Sequence, residues 1–301
     1  MHPAAIALLA TLTAQAPPPA ATRQDRAPQT DQTVSVSRGA RLAIDNYAGE
    51  VLIRGWEKDA VRVQARHKGG TTVNIQKDSS IVTISATTNP PHGPVDYEIT
   101  APIWMPMKIE GQYIFVTVEG VQGELSVTAV RGDIVLKNVG SATAKTIKGS
   151  IEVEGARGRM ILSSVNEDIK IAGTSGDLSA ETTNGSITLE RVESANVEMT
   201  TVNGDITYDG SLADKGHYSF TTHKGDITLT VPATASAAFT VRTYSGEFGT
   251  SLPVKGPDPS EARRGRRVTY TLGGGSAEVD LESFGGEIRL RRAETNRSRR
   301  N

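Results

Sequence analysis

The sequence has no cysteine among its 301 residues, and it has almost no net charge. Without cysteine there are no disulfide bonds, no thiolate metal sites, no cysteine nucleophile and no lipid-modified N-terminal cysteine. The 33 basic and 34 acidic residues give a formal net charge of -1, so no overall field favours nucleic acid as a partner. Long apolar runs are also missing after the first residues, and we therefore predict no membrane-spanning helix.

The N-terminal residues have the pattern of an export signal. The apolar stretch from Ala4 to Ala14 is too short to span a bilayer, and Ala14-Gln15-Ala16 is a small-x-small cleavage site. We expect residues 1–16 to be a signal peptide. Residues 17–32 are rich in Pro, Ala, Thr and charge, which predicts a disordered linker. The mature protein is therefore expected outside the cytoplasm, in the periplasm, on the cell surface or secreted.

One short motif recurs at least eight times between Leu125 and Leu290. Its clearest copies are Thr-Asn-Gly-Ser-Ile-Thr-Leu from Thr183 and Val-Asn-Gly-Asp-Ile-Thr-Tyr from Val202. Taking its glycine as position 0, the copies are centred on Gly132, Gly149, Glu167, Gly185, Gly204, Gly225, Gly246 and Gly286. The steps are 17, 18, 18, 19, 21, 21 and 40 residues. A unit this short cannot bury its own apolar side chains, so it must stack on its neighbours.

Each copy carries two short runs of alternating apolar and polar residues. Positions -7, -5, +2 and +4 are apolar in every copy except at Thr250, and the residues between them are mostly polar. This period of two on both sides of position 0 predicts two half-buried strands per copy. A corner falls at position 0 and another eight or nine residues later. The sequence therefore predicts an all-β protein, a β-solenoid of about ten rungs.

By the same alternation, the side chain at position -3 should face inward, yet this position holds a hydroxyl residue in seven of the eight copies. Its members are Ala129, Thr146, Ser164, Thr182, Thr201, Thr222, Thr243 and Ser283. A buried hydroxyl without a partner costs about 1–3 kcal/mol. We therefore expect these side chains to hydrogen-bond either to one another or to the backbone of the corner.

The same register extends towards the N-terminus, with Ile114 and Gly49 at position 0. Residues 33–106 are interpreted as an atypical capping rung with an inserted hairpin, whose strands would be 61–65 and 81–85. Terminal repeats are normally atypical, because an open end exposes edge strands. Residues 107–290 would then be the solenoid repeats.

The long final step and the C-terminus deviate from the repeat. Residues 252–275 form an insertion with a polar loop and a strand from Val268 to Leu272. Residues 291–301 hold five arginines and no apolar run, which predicts a basic disordered tail.

These repeats, the segment from Leu42 to Trp56 that ends Ile-Arg-Gly-Trp, and the Tyr97-Glu-Ile-Thr-Ala-Pro102 segment carry a family resemblance. The chain resembles a bacterial β-strand-repeat family of unknown function whose members are widely labelled adhesins. The resemblance spans roughly residues 33–290. It implies an exported, right-handed, single-stranded β-helix without known catalysis. It supplies no site residues, and Ile114 and Glu167 depart from the glycine at position 0.

The strongest candidate for chemistry is an acidic column at position +1. Its members are Asp133, Asp168, Asp205, Asp226, Glu247 and Glu287. Carboxylates on adjacent rungs would lie about 5 Å apart, a spacing that suits a retaining glycosidase pair or a Ca²⁺ site. The alternative is a structural corner residue that accepts backbone N–H bonds. Recurrence at every corner favours the structural role, since active sites are usually singular.

Three other groups of residues were weighed as binding elements. His217 and His223 flank one strand and are interpreted as surface residues. Trp56 and Trp104 are expected to pack in the cap rather than to stack on sugars. A hydroxyl-rich outer face could lie along a glycan or a protein, although threonine also simply favours strands. This face comprises Ser126, Thr128, Thr143, Ser163, Ser179, Thr200, Ser219, Thr221 and Thr240.

We therefore expect an exported, non-enzymatic β-solenoid that acts as an adhesin-like interaction or scaffold module in the cell envelope. Its partner would be an envelope protein or a polysaccharide. We assign no catalytic, metal or cofactor-binding residue and expect no cofactor. The alternative is a carbohydrate-active enzyme, a polysaccharide lyase or glycosidase, that uses the acidic column beside the 252–275 insertion. A singular cluster of carboxylates and basic residues in one groove would favour that enzyme.

Overall fold

The computed structural model describes residues 29–262 and 264–293. These residues form 24 strands of one sheet, mostly parallel, and one short 3₁₀ helix. The prediction of an all-β solenoid is confirmed. The proposed signal peptide, most of the proposed linker and residues 294–301 of the proposed tail lie outside the described residues.

The N-terminal third supplies seven strands. They are β1 (Thr30–Ser35), β2 (Arg41–Trp56), β3 (Ala60–His67), β4 (Thr71–Lys77), β5 (Ile81–Thr88), β6 (Val95–Pro102) and β7 (Met107–Glu119). Because β1 begins at Thr30, the predicted linker 17–32 extends too far. The strand forms there because residues 30–35 pair antiparallel with β3.

The middle of the chain supplies twelve shorter strands. They are β8 (Leu125–Arg131), β9 (Ile134–Lys137), β10 (Ala142–Lys148), β11 (Ile151–Glu154), β12 (Met160–Ser164), β13 (Ile169–Ala172), β14 (Leu178–Asn184), β15 (Ile187–Val192), β16 (Asn196–Asn203), β17 (Ile206–Gly210), β18 (His217–Lys224) and β19 (Ile227–Val231). Strands before position 0 pair in parallel to form the first face, and strands after it form the second face. Each pair of strands is one rung.

The C-terminal part supplies five strands and the 3₁₀ helix. The strands are β20 (Ala237–Thr243), β21 (Phe248–Thr250), β22 (Val268–Leu272), β23 (Ala277–Ser283) and β24 (Ile288–Arg292). The helix, Pro259–Glu261, lies in the predicted insertion. Because β24 reaches Arg292 by pairing with β19, the predicted disordered tail 291–301 starts too early.

The four apolar columns form one continuous core. In the rung centred on Gly185, Leu178, Ala180, Ile187 and Leu189 are each at most 2% exposed. Thr250, which breaks the apolar rule, is only half-buried. Fully burying one large apolar side chain of these columns contributes about 1.5–3 kcal/mol, whereas ordering one residue costs about 1–2 kcal/mol of backbone entropy. A single rung therefore depends on its neighbours for stability.

The hydroxyl column at position -3 bonds to the backbone of the neighbouring corner. Thr201 Oγ1 donates to the carbonyl oxygen of Gly185 at 2.9 Å, and Thr222 Oγ1 donates to that of Gly204 at 2.9 Å. Thr146, Ser164, Thr182, Thr243 and Ser283 make the equivalent bond. Of the two partners expected from the sequence, the corner backbone is the one found.

Close stacking explains the glycine at position 0. A Cβ added to Gly149 would lie 2.1 Å from the carbonyl oxygen of Gly132 on the preceding rung. No side chain fits at that distance. In the rung centred on Ile114 the chain instead stays extended through the corner as β7, and Ile114 is fully buried.

The N-terminal end departs from the predicted capping rung. Strand β5 pairs in parallel with the first half of β2, and β6 pairs in parallel with its second half. Strand β7 pairs with the opposite edge of β2. Residues 33–106 therefore contain two rungs, and the rung of β5 and β6, which is formed later in the chain, is the outermost one. The expected hairpin of 61–65 with 81–85 is wrong, because β3 pairs with β6 and β1 whereas β5 pairs with β4.

At the C-terminal end, too, the stacking order of the rungs differs from their order in the chain. Strand β23 pairs with β18 on one edge and with β20 on the other, so the last rung of the chain lies between two rungs that precede it. The outermost first-face strand, β20, is covered by the antiparallel strand β22. The insertion therefore covers an edge of the sheet as well as forming a loop.

Candidate interaction surface

The acidic column at position +1 is a ladder of structural hydrogen bonds. Oδ1 of Asp133, Asp168, Asp205 and Asp226 each accepts the backbone N–H of position +1 on the next rung, at 2.8–2.9 Å. The interpretation of these four aspartates as corner residues that accept N–H bonds is confirmed. Among the described residues, no group of three or more acidic or histidine side chains could hold a metal ion.

The other two members of the column lie beside the insertion. Glu247 and Glu287 line a shallow depression of about 300 Å³ together with Arg289 and Arg291. Arg289 forms ion pairs with both Glu287 and Asp226. Glu287 and Asp226 are thus partly neutralised by the Arg289 guanidinium, and the depression is open to solvent.

A second depression, of about 340 Å³, lies across the outer surface of the first face. Four carboxylates line it, from Asp177, Glu198, Glu278 and Asp280, together with Arg159 and His217. Asp177 accepts a bond from Asn196 Nδ2 at 2.8 Å, and His217 Nδ1 lies 3.1 Å from Glu278. Sequence reasoning did not single out these carboxylates, because they occupy unremarkable outward positions of three different repeats.

The remaining candidates from the sequence are placed as follows. The hydroxyl-rich residues lie on the outer side of the first face, half-buried or exposed, and Ser163 Oγ donates to Glu181 at 3.0 Å. Trp56 and Trp104 are both half-buried at the N-terminal end and donate to Ala60 O and Asp59 Oδ1. His223 is exposed and stacks on Phe284 with ring centroids 4.7 Å apart.

The feature that sequence reasoning missed is an exposed apolar edge. Every large hydrophobic side chain that is exposed in the described residues lies at the position-0 corner. They are Tyr47, Tyr113, Phe115, Ile147, Val165, Val202, Tyr244 and Phe284. Six of them occupy position -2, which has outward parity. An apolar residue recurring at an outward position was the signal in the sequence.

We call the position -2 side chains the corner ridge. In stacking order they are Tyr47, Gln112, Val130, Ile147, Val165, Thr183, Val202, His223, Phe284 and Tyr244. Contiguous exposed apolar surface on a soluble protein usually marks an interaction site. The corner ridge is therefore the candidate interaction surface.

Both ends of the corner ridge are aromatic. At one end His92 packs on Tyr47 with centroids 4.1 Å apart, and Tyr47 contacts Tyr113 at 5.6 Å. At the other end Phe284 stacks between His223 and Tyr244, at 4.7 and 4.8 Å. Because the rings at this second end stack on one another, they present edges rather than faces to solvent. This geometry disfavours flat stacking of sugar rings at that end of the ridge.

Two rows of side chains of opposite charge follow the corner ridge. Position -1 holds the basic residues Arg131, Lys148 and Lys224 and no acidic residue. Position +1 holds no basic residue and seven acidic ones, which are the acidic column and Glu50. Positions -1 and +1 both follow position -2 in the chain, so a partly basic row and an acidic row run side by side along one side of the ridge.

The family model Toastrack DUF4097 matches residues 39–291. The chain belongs to the Toastrack DUF4097 family. This match covers the rungs, both exchanged ends and the whole corner ridge. The resemblance to a β-strand-repeat family of unknown function is thereby confirmed.

Beyond the Toastrack DUF4097 match, similarity is limited. A crystal structure of a putative cell adhesion protein from Clostridium sporogenes is 11% identical, with coverage of 88% of this chain and 99% of that chain. Its TM-score is 0.21. No curated protein matches the chain. In residues 29–262 and 264–293, no helix has the length and apolarity to cross a membrane.

Proposed function

We propose that the protein is an exported, non-enzymatic interaction module of the bacterial cell envelope, which binds in an adhesin-like manner through the corner ridge. The observation that carries the proposal is the confinement of all eight exposed large hydrophobic side chains to one corner. Scattered apolar residues are normal on a protein surface, whereas an aligned set implies a partner. Membership of a family of unknown function is compatible with this role.

The rigidity of the solenoid supports the same proposal. Backbone bonds along both faces hold neighbouring rungs together, and at four corners an aspartate links one corner to the next. A preorganised surface loses little conformational entropy on binding. Binding would be spread over several rungs, so one ridge substitution would weaken it less than three together.

The test is adhesion of the labelled protein to the envelope fraction of the source bacterium. The ridge variant is Ile147→Ser, Val165→Ser, Val202→Ser, and its control is Glu152→Ser, Lys170→Ser, Thr188→Ser on the outer side of the second face. We expect the ridge variant to lose at least about tenfold in affinity, which corresponds to about 1.4 kcal/mol. Equal binding by both variants would refute the ridge as the adhesive surface.

One observation favours a second candidate, a carbohydrate-active enzyme. Glu198 and Asp280 line the depression on the first face and flank Ser219 on the intervening rung. They are therefore about 10 Å apart along the stack, near the separation of carboxylates in inverting glycosidases.

The enzyme is tested by turnover on a panel of envelope polysaccharides. Alanine variants of Glu198 and Asp280 are compared with those of Asp133, Asp168, Asp205, Asp226, Glu247 and Glu287. We expect no turnover by the parent protein. Turnover that one substitution abolishes would identify an active site and overturn the non-enzymatic proposal.

A further inference from the structure

We propose that the N-terminal end of the solenoid binds an extended peptide segment of another protein, which adds as one antiparallel strand to the open edge of β4. The bound segment carries apolar side chains at alternate positions. This site lies on the first face, apart from the corner ridge, so it is a second interaction site in addition to the proposed one. Its basis is the bonding pattern of β4, a vacant strand position beside it and the apolar side chains that border this position.

The backbone of β4 presents unpaired hydrogen-bonding groups at alternate residues. Near its two ends, the antiparallel ladder with β5 is bonded at Gly70 and Asp78. Every second residue of an antiparallel strand bonds to the same neighbour, so the even-numbered residues of β4 bond to β5. The N–H and C=O groups of the odd-numbered residues, such as Val73 and Ile75, point to the opposite edge. In the part of the chain that the structure describes, no strand pairs with that edge.

The two faces of the solenoid have different numbers of strands at this end. Beyond the outermost rung, which β5 and β6 form, the second face continues with β3 and then β1, whereas the first face continues only with β4. The position beside β4 and opposite β1 therefore lacks a strand among the described residues. At the C-terminal end, the corresponding position beside β21 and opposite β22 is occupied by the loop that contains the 3₁₀ helix.

Half-buried apolar side chains border the vacant position. Val73 and Ile75 pack against the core from β4 and are only half-buried. Val34 of β1 is also half-buried, although it lies opposite the fully buried Val61. A strand with apolar residues at alternate positions would cover these side chains, because residues opposite one another in a sheet point to the same side.

Strand β4 lacks the features that normally protect an edge strand. Such strands are usually very short, or they carry charge, proline or a bulge. Residues 71–76 contain no charged residue and no proline, and their pairing with β5 has no bulge. By contrast, β21 has only three residues, and Lys255 bridges the outer edge of β22. The edge of β4 is therefore suited to binding by strand addition.

Two other occupants fit this position less well. Pairing of β4 with β4 of a second copy would join the two first faces into one sheet, and the second faces, which are each one strand longer, would then overlap. Residues 17–28 precede β1 in the chain, but they contain no valine, leucine, isoleucine, methionine or aromatic residue that could cover Val73 and Ile75. A segment of another protein with larger apolar side chains meets both requirements.

The first experiment titrates the full chain with a fluorescent peptide of about nine residues, which is long enough to span β4. The peptide alternates valine with threonine or glutamate, and its matched control carries N-methyl groups on the valine amides. In an antiparallel pair these amides donate to β4, so we expect N-methylation to weaken binding at least about tenfold in fluorescence anisotropy. Equal binding of the two peptides, or binding of neither, would refute the proposal.

Proline substitutions locate the bound peptide. Val73→Pro removes an N–H group from the open edge of β4 and leaves the bonds to β5, and Thr33→Pro does the same at the outer edge of β1. We expect Val73→Pro to lower the affinity at least about tenfold and Thr33→Pro to leave it within about twofold. Thermal melting without peptide verifies that both variants fold. Equal affinities of two folded variants would overturn the assignment to β4.

Hydrogen exchange of the unsubstituted full chain tests the same edge without any change of sequence. In the free chain, the amides of Val73 and Ile75 should exchange fast and that of Asn74 slowly. Saturating peptide should slow Val73 and Ile75 at least about tenfold. Slow exchange of both amides in the free chain would overturn the proposal. The position would then be filled by the chain itself if the rates are independent of concentration, or by a second copy if they fall with concentration.

The second site and the proposed function fail separately. The ridge variant with Ile147→Ser, Val165→Ser and Val202→Ser leaves β4 unchanged, so it should bind the peptide as the parent does. If the parent binds no peptide while adhesion through the ridge holds, the strand-addition site is refuted and the proposed function stands. If the peptide binds but the ridge variant keeps full adhesion, the site at β4 stands and the ridge is not the adhesive surface.

Discussion

Between Leu125 and Val231 each rung stacks on the rung that precedes it in the chain, whereas at both ends the stacking order is exchanged. In the middle, sequence neighbours are spatial neighbours, and the columns continue without a break. At the ends, β2 lies between the rungs formed by β5–β6 and β7, and β23 lies between β18 and β20.

The difference shows how this solenoid protects its termini. In a sequential stack the first and last rungs would each have one neighbour and would fray. The exchange gives β2 and β23–β24 neighbours on both sides, and antiparallel strands cover the outermost parallel strands. Covered edges also prevent pairing with another chain.

The two ends are covered to different extents. At the N-terminal end β3 covers β6, and β1 covers β3, with Arg62 bound through two nitrogens to Asp31 at 2.7 and 2.9 Å. That guanidinium lowers the pKa of the Asp31 carboxyl. At the C-terminal end β22 covers β20. Among the described residues no strand pairs with the outer edge of β21.

The largest expected effect is in the middle of the stack. Ile187→Asp places an unpaired carboxylate in a continuous apolar column, and we expect it to lower the free energy of unfolding by about 3–5 kcal/mol. Thr188→Asp, one residue away and half-buried on the outer side, should change it little. Urea denaturation of both variants measures the difference, and similar midpoints would contradict the inward and outward assignment.

The second prediction tests the exchanged C-terminal end. A chain that stops after Gly275 lacks β23 and β24, so β20 loses its parallel partner. We expect the amides of residues 237–272 to lose protection from hydrogen exchange by at least about 100-fold, or about 2.7 kcal/mol. A chain that stops after Ala293 serves as control. Retained protection would mean that β20 stacks directly on β18.

The third prediction compares a corner in the middle with a loop near an end. Gly149→Ala forces its Cβ to 2.1 Å from Gly132 O, and the corner must shift to accommodate it. We expect a loss of about 1–3 kcal/mol, as for other overpacked sites. Gly69→Ala has no atom within 4 Å of its Cβ and should be nearly neutral. Thermal melting compares the two, and equal shifts would contradict the close stacking of corners.

The smallest expected effects come from two buried threonines in the middle. Thr174 Oγ1 has no hydrogen-bond partner, whereas Thr182 Oγ1 donates to Glu167 O at 3.1 Å. Thr174→Val should therefore raise the free energy of unfolding by about 1 kcal/mol, and Thr182→Val should lower it by about 1 kcal/mol. Urea midpoints that move in the same direction would show that the two hydroxyls are equivalent.

The regular part of this fold could be predicted from sequence. A period of two on each side of a recurrent glycine determines which side chains face inward, because successive side chains of a strand point to opposite faces. Ile187 and Leu189 were assigned to the core on that basis, and both are fully buried. The hydroxyl column also followed, since its inward parity required hydrogen bonds that the corner carbonyl oxygens accept.

Only the tertiary structure decided which strands are neighbours at the ends. An alternating pattern identifies a strand but not its partner. The sequence therefore predicted that 61–65 pairs with 81–85, whereas in the structure β3 pairs with β6 and β5 pairs with β4. The candidate surface depended on the same information. Phe284 follows Tyr244 by 40 residues, yet it lies between His223 and Tyr244 because β23 enters the stack beside β18. The partner of an edge strand is determined by burial and backbone pairing in the assembled stack, and the local sequence pattern does not contain that information.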